Sequence, residues 1–268
     1  MLLRRYDASI EEQIAGLIHD VSHSAFSHAI DYVLKVGSPK EHSHQDNIFK
    51  AFVKKTEIPH IIKRYGFDPG YILEDKNFPL KERRLPDLCA DRIDYSLREA
   101  IIFKCIKNAD YFLENLRPVQ DQWVFSGEES ASKFSKLFSK LNEIYWAGLE
   151  TAVMFKAISD FLKYSLTQGY IKQSDLYTTD KVVLGKIKKY VSKDKKIKSY
   201  FARMNNKVPY LNDSNGGEEV FCKSRVVDPL FFDGAKIKRL SDKNPKWQQT
   251  LVQEMQPKRY FVKFLDVL

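Results

Sequence analysis

Three features of the sequence predict a mainly α fold with a small α+β region at the C-terminal end. Apolar residues recur at helical spacing through the first two thirds of the chain. Helix start and stop signals punctuate that pattern. Past about residue 205, β-branched and aromatic runs replace it.

The first helix is expected over about 10–21. Ser9 and Glu12 have the spacing of a capping box, and Ile10, Ile14, Leu17, Ile18 and Val21 follow at helical intervals. His19 and Asp20 then fall in its last turn. A second helix is expected over about 25–35, stopped by Gly37 and Pro39. A third covers about 43–55, with Ile48, Phe49, Phe52 and Val53 as its apolar stripe, and a short one spans 57–64, ended by Gly66. Asp68-Pro69 reads as an N-cap with proline at the first helical position. Pro86 opens a longer helix, about 86–103, with Leu88, Cys89, Ile93, Leu97, Ile101 and Ile102 along one side. Long helices follow at about 128–144 and 148–167, and Ser174-Asp175 and Thr179-Asp180 start shorter ones. NDSNGG at 212–217 is a turn, and VFCKSRVV and RYFVKFLDV read as strands of a small sheet.

The chain's 268 residues, 43% hydrophobic and 13% aromatic, exclude a disordered chain and allow a substantial core. No run of 18 apolar residues offers a transmembrane helix, and MLLRRYDASIEEQ lacks the apolar stretch of a signal peptide. Cys89, Cys105 and Cys222 are odd in number and form no C-x-x-C pair. A reducing, cytoplasmic setting is therefore expected. Charge is unevenly placed. Residues 1–179 hold 24 Lys/Arg against 25 Asp/Glu, whereas 180–268 hold 20 against 10. The basic last third is either a solvated lysine face or a surface for nucleic acid, anionic nucleotides or acidic partners.

Five of the six histidines, His19, His23, His28, His42 and His44, lie within 26 residues; the sixth is His60. A lone buried histidine is usually a satisfied core residue. Five in so short a stretch, interleaved with Asp20, Asp31 and Asp46, point to metal ligation or acid–base chemistry. His19 and Asp20 are neighbours, so on a helix their side chains diverge by about 100°. They converge on one ion only near a helix end. Their mixed N/O character suits Mn, Fe, Ni or Zn better than Ca. A second cluster, LPDLCADRIDYSLREA, spaces Asp87, Asp91, Asp94 and Arg98 at intervals of four, three and four. Alone it reads as a salt-bridged stripe. Beside the histidines, Asp91 becomes a candidate ligand, and Arg92, Tyr95 and Arg98 become candidate phosphate or sugar contacts.

HDVSHSAFSH resembles the H-D-x-x-H-x-x-x-S-H segment of HD-domain phosphohydrolases, and LCADRIDYSLREA is similar to their D-[KR]-x-D-Y-x-x-R-[DE] motif. QWVFSGEESASKFSKLF resembles the strand-then-helix that follows in the dNTP triphosphohydrolases of the SAM-and-HD-domain and bacterial dGTPase type. The similarity covers roughly residues 10–185. It implies an HD-domain helical bundle over 1–170, carrying the catalytic site, and a basic α+β region over 171–268. It implies His19, Asp20 and Asp91 as ligands of a divalent metal (Mn, Fe, Ni, Zn or Mg). It places His23, His28 and His44 at the phosphate chain, with His44 in the position of the catalytic histidine. Arg92, Asp94, Tyr95, Arg98 and Glu99 are expected around the substrate. The implied chemistry is hydrolysis of a nucleotide or other phosphate ester by a metal-bound water of lowered pKa, with a protonated histidine assisting the leaving oxygen. A homo-oligomer is expected, with no membrane partner. The family's site begins with a further histidine in an R-F-x-H-S-type motif, and no histidine stands among residues 1–18. Two readings follow: an enzyme, or a truncated or degenerate HD protein serving as a nucleotide- or nucleic-acid-binding regulatory module.

Overall fold

The computed structural model describes residues 1–34 and 36–266, and it is mainly helical, as the periodicity predicts. Two compact units interleave along the chain, whereas the resemblance implies consecutive blocks of 1–170 and 171–268. One unit comprises Met1–His19, Val53–Glu143 and Ser224–Gln256; the other comprises Asp20–Phe52, Ile144–Lys223 and Pro257–Leu268. Each holds a small sheet. The strands in chain order are β1 (Leu116–Val119), β2 (Gln122–Phe125), β3 (Tyr210–Asn212), β4 (Glu218–Cys222), β5 (Leu230–Phe232), β6 (Ile237–Arg239) and β7 (Lys258–Phe264). No helix among the described residues is long and apolar enough to cross a membrane.

The first unit packs its helices on a sheet of order β1-β2-β5-β6, antiparallel except for the parallel pair β2·β5. Trp123 and Phe125 of β2 and Phe231 of β5 are buried, as are Phe134, Phe138 and Leu141 of the helix Glu128–Leu141 and Ile93 of the helix Ala90–Ile102. Phe134 meets Phe125 and Phe112 with ring centroids 5.4 and 5.6 Å apart. Buried aromatics of this kind dominate a core's transfer free energy. Residue patterning predicts strands only in the last quarter, apart from the resemblance at 122–138. β1 and β2 were too short for periodicity to find.

The second unit is built on the helix Leu149–Thr167. One apolar cluster joins Phe161 and Leu162 to Ile30, Leu176, Val183, Ile187 and Ile197, and another joins Ala152 and Phe155 to Val220, Cys222 and Val262. Its sheet, β3-β7-β4, is fully antiparallel. NDSNGG makes the turn from β3 to β4, while the end of the expected RYFVKFLDV strand, Val267, lies outside the described residues.

Three expected helices change, and in each a backbone group takes a partner other than the helical one. The first ends at Ile18 rather than 21. Gly16 carbonyl, which would accept the Asp20 N–H in a continuing helix, instead accepts His19 Nδ1 at 2.7 Å. The second is only a 3₁₀ stretch, Ser27–Tyr32, because Ala25 N–H donates to Leu176 carbonyl and Phe26 N–H to Asp180 Oδ1, both at 2.8 Å. The third starts at Ala90, four residues past Pro86. Pro86 carbonyl accepts the Asp228 N–H at 2.8 Å, and the Ala90 N–H that would have reached it donates to Leu80 carbonyl at 2.7 Å. Asp87 therefore leaves the helical stripe and pairs with Arg239 at 2.6 Å.

Candidate metal centre

The helix Ile10–Ile18 delivers His19. Ser9 caps it, accepting the Glu12 N–H at 3.1 Å. The second arm of the expected capping box is diverted. Glu12 Oε1 accepts the Lys81 N–H at 2.8 Å, with both residues buried. Lys81 and its neighbour Leu80 also receive the start of the next helix, through Ala90 N–H to Leu80 carbonyl at 2.7 Å and Asp91 N–H to Lys81 carbonyl at 3.4 Å. Trp123 Nε1–H holds Leu80 carbonyl at 2.9 Å from the core side. Glu12 thus ties the helix that ends in His19 to the segment that presents Asp91.

His19 Nε2 lies 3.0 Å from Asp91 Oδ1, with the two side chains 27% and 30% exposed. A carbonyl oxygen only accepts, so Nδ1 carries the proton toward Gly16, and Nε2 is the nitrogen that faces the carboxylate. A backbone carbonyl on the far ring nitrogen is the arrangement that fixes the tautomer of metal-ligating histidines. Asp20 follows His19 directly. One ligand atom from each of His19, Asp20 and Asp91 lies within 4.8 Å of the others. Two donors about 2.1 Å from one ion and at right angles stand about 3.0 Å apart, so this spacing suits a single transition ion. Outside the helix, Asp20 also gains a second partner, His23 Nε2, at 3.3 Å from its Oδ1.

Beside His19 and Asp91 a cavity of about 440 Å³ opens in the first unit, walled by Leu3, Ile10, Ile14 and Leu17 and edged by Lys81 and Asp94. Of the expected substrate contacts, Asp94 lines it; Arg92, Tyr95, Arg98 and Glu99 do not. Arg92 is engaged within the fold, donating to Asp87 carbonyl at 2.5 Å, Arg83 carbonyl at 3.1 Å and Glu82 Oε1 at 3.4 Å. Burial pushes Glu82 up from the ordinary carboxylate range and Cys89 beside it up to about 12. Tyr95 is likewise pushed up by burial and packs 6.4 Å from Phe138. Arg98 pairs with Asp94 at 3.1 Å in solvent, and Glu99 is half-buried on the same helix.

The other histidines form a line of rings in the second unit. His23 meets His28 edge to face at 5.2 Å, and His28 stacks on His42 at 4.7 Å. His42 is buried, with Tyr32 Oη 3.4 Å from its Nε2. His44 departs from the expectation of a ring at the phosphate chain. It is fully buried, stacked on Tyr177 at 6.0 Å, and neither ring nitrogen has a hydrogen-bond partner among the described residues. Desolvation lowers its pKa, which favours the neutral ring at pH 7. Its backbone N–H donates to Asp31 Oδ1 at 2.9 Å, so Asp31 anchors the HSHQD segment. His60, the remaining histidine, is exposed on the helix Ile58–Arg64 of the first unit.

No family model matches the chain. It is 30% identical over 272 residues to YdhJ, an uncharacterized protein of Bacillus subtilis, covering 99% of this chain and 82% of that one. This chain belongs to the YdhJ family. A second relative is the metal-dependent phosphohydrolase cns2 of Cordyceps militaris, 29% identical over 185 residues; the match covers 66% of this chain and about half, 53%, of cns2. The solved structure of a phosphohydrolase from Bacteroides thetaiotaomicron superposes with a TM-score of 0.61 over 96% of this chain and 81% of that one, at 13% identity. This YdhJ-family chain therefore shares the fold of that solved phosphohydrolase.

Proposed function

We propose that this protein is a metal-dependent phosphohydrolase that cleaves a nucleotide, dNTPs being the first class to assay, or another phosphate ester. The observation that carries the reading is the convergence of His19, Asp20 and Asp91 ligand atoms within 4.8 Å, with His19 held in the ligating tautomer by Gly16. A divalent ion bound there would offset phosphate charge and supply a nucleophilic water of lowered pKa. The rest falls to the chain's own groups. Gly16 carbonyl orients His19, and Glu12 holds the two arms of the site at a fixed separation. His23 steadies the Asp20 carboxylate, and we assign it the transfer of a proton to the leaving oxygen. His44, buried and favouring the neutral form, is assigned to shaping the fold instead.

The test is release of phosphate or triphosphate from a panel of dNTPs, NTPs and monoesters, with Mn²⁺, Fe²⁺ or Ni²⁺ added to metal-free protein. Metal-dependent release, reduced at least about a hundredfold in Asp91→Ala, supports the reading. No release with any metal and any member of the panel overturns it.

A further inference from the structure

The second unit carries a surface that the hydrolytic site does not use. The helices Asp180–Val191 and Lys195–Met204 flank a short turn. Residues 180–200 hold eight lysines and two acidic residues, Asp180 and Asp194. Both acids are engaged locally. Asp180 accepts the Phe26 N–H at 2.8 Å. Asp194 caps the second helix, accepting Lys196 N–H at 2.8 Å and Ile197 N–H at 3.2 Å, and also accepts the hydroxyls of Tyr164 at 2.9 Å and Tyr170 at 2.6 Å. Lys186 pairs with Asp175 at 2.6 Å. Lys188, Lys189, Lys193 and Lys196 are exposed and have no acidic partner among the described residues.

The same surface carries a row of four half-buried tyrosines. Tyr190 stacks on Tyr170 with centroids 3.9 Å apart and planes 10° from parallel. Tyr170 meets Tyr164 edge to face at 6.4 Å, and Tyr164 meets Tyr200 at 5.6 Å. Lysines stand over both ends of the row, Lys189 Nζ 5.1 Å from the Tyr190 centroid and Lys196 Nζ 6.0 Å from that of Tyr200 and 5.4 Å from that of Tyr164. Unpaired ammonium groups beside partly exposed rings are the two elements that single-stranded nucleic acid requires: charge along the phosphates and a platform for unstacked bases. A duplex offers its phosphates but not its base faces. An acidic protein would be met by the lysines alone and would leave the rings unused.

We propose that the lysine-and-tyrosine face of residues 164–200 is a binding surface for single-stranded nucleic acid. The phosphates lie along Lys188, Lys189, Lys193 and Lys196, and a base stacks at the Tyr190 end of the row. This surface is independent of the hydrolytic reading, since none of these residues belongs to the metal centre.

The experiment is fluorescence anisotropy of the full chain with labelled (dT)₂₀, (rU)₂₀ and a 20-base-pair duplex from 50 to 300 mM KCl. Anionic phosphatidylserine vesicles serve as a parallel probe. The expected result is binding to the single strands that weakens linearly in log[salt], with the duplex bound at least about fivefold more weakly. Lys188→Glu/Lys189→Glu/Lys196→Glu should weaken binding at least tenfold at 100 mM KCl and flatten the salt slope by about two, at roughly 0.7 per lost contact. Tyr190→Leu should weaken it roughly tenfold with the slope unchanged. Lys133→Glu, on the first unit, should bind as wild type. Circular dichroism melts of each variant separate unfolding from lost contact, and the wild-type salt series stands without any variant. No binding at 50 mM KCl overturns the proposal. So do equal affinity for duplex and single strand, retention of binding by the folded triple variant, and binding to vesicles but not oligonucleotides.

Discussion

Replacing Glu12 by Ala tests whether one buried carboxylate holds the two arms of the metal centre together. Glu12 is 7% exposed and Lys81 5%, so water does not replace the bond from Lys81 N–H to Glu12 Oε1. Truncation leaves that buried donor unpaired, which costs about 1–3 kcal/mol. Alanine's better helix propensity returns only a few tenths of that. At about 2–4 °C per kcal/mol for a chain approaching this size, Tm should fall by roughly 2–10 °C. Urea unfolding followed by tryptophan fluorescence measures the loss directly. Glu12→Gln keeps an acceptor and separates hydrogen bonding from charge. Burial is the largest influence on the Glu12 carboxyl and raises its pKa above the unfolded value of 4.5. The folded state therefore holds the proton over a window starting near pH 4.5, and Glu12's contribution to stability falls as pH rises through it. The Gln variant lacks this loss, so its stability relative to wild type should climb between pH 4 and pH 7. A Glu12→Ala stability within about 0.5 kcal/mol of wild type, or a Gln-to-wild-type difference that falls with pH, would refute the reasoning.

Other consequences are equally concrete. Phe161→Ala empties a fully buried site at the centre of the second unit and should cost about 3–5 kcal/mol, read by urea denaturation. Gly37→Ala would place a Cβ 2.1 Å from Asp31 Oδ1 and 2.9 Å from His44 N, within the loop that anchors His44; a loss of about 1–3 kcal/mol by thermal melt is expected. Thr179→Ala removes the cap on Val182 N–H and should cost about 1 kcal/mol, with the helical signal of residues 180–191 lost first in hydrogen exchange. His23→Ala frees Asp20 from its 3.3 Å partner and should weaken Mn²⁺ binding by about 10–100-fold without changing stoichiometry, read by calorimetry.

What the sequence made legible was what local spacing encodes. The helix at Ile10–Ile18, its Ser9 cap and the Asp68-Pro69 start all appear where expected, although of the apolar stripe Ile10, Ile14, Leu17, Ile18 and Val21 only Ile18 is buried on that helix. His19, Asp20 and Asp91 could be singled out because their residue types are rare in such company. Their convergence depends on a bond from His19 to its own helix's carbonyl, which no periodicity records. The misplaced boundaries share a cause. At Gly16 and Pro86 a carbonyl takes a partner other than the helical N–H, and at Ala25 and Phe26 the N–H does the same. Arg92 illustrates the limit for side chains. Its motif suggests a substrate contact, and its geometry spends it on Asp87, Arg83 and Glu82. Lys81 and Glu12 lie 69 positions apart, and neither is unusual in its own segment, so their tie was invisible from the sequence.

The central claim is that His19, Asp20 and Asp91 together hold a divalent metal, and calorimetric titration of Mn²⁺ into metal-free protein tests it most directly. The account predicts one site per chain in the wild type, with heat lost in Asp91→Ala and in His19→Ala while both variants retain the wild-type circular dichroism spectrum. Equal Mn²⁺ binding by wild type and the folded Asp91→Ala variant, or none by the wild type, would contradict it.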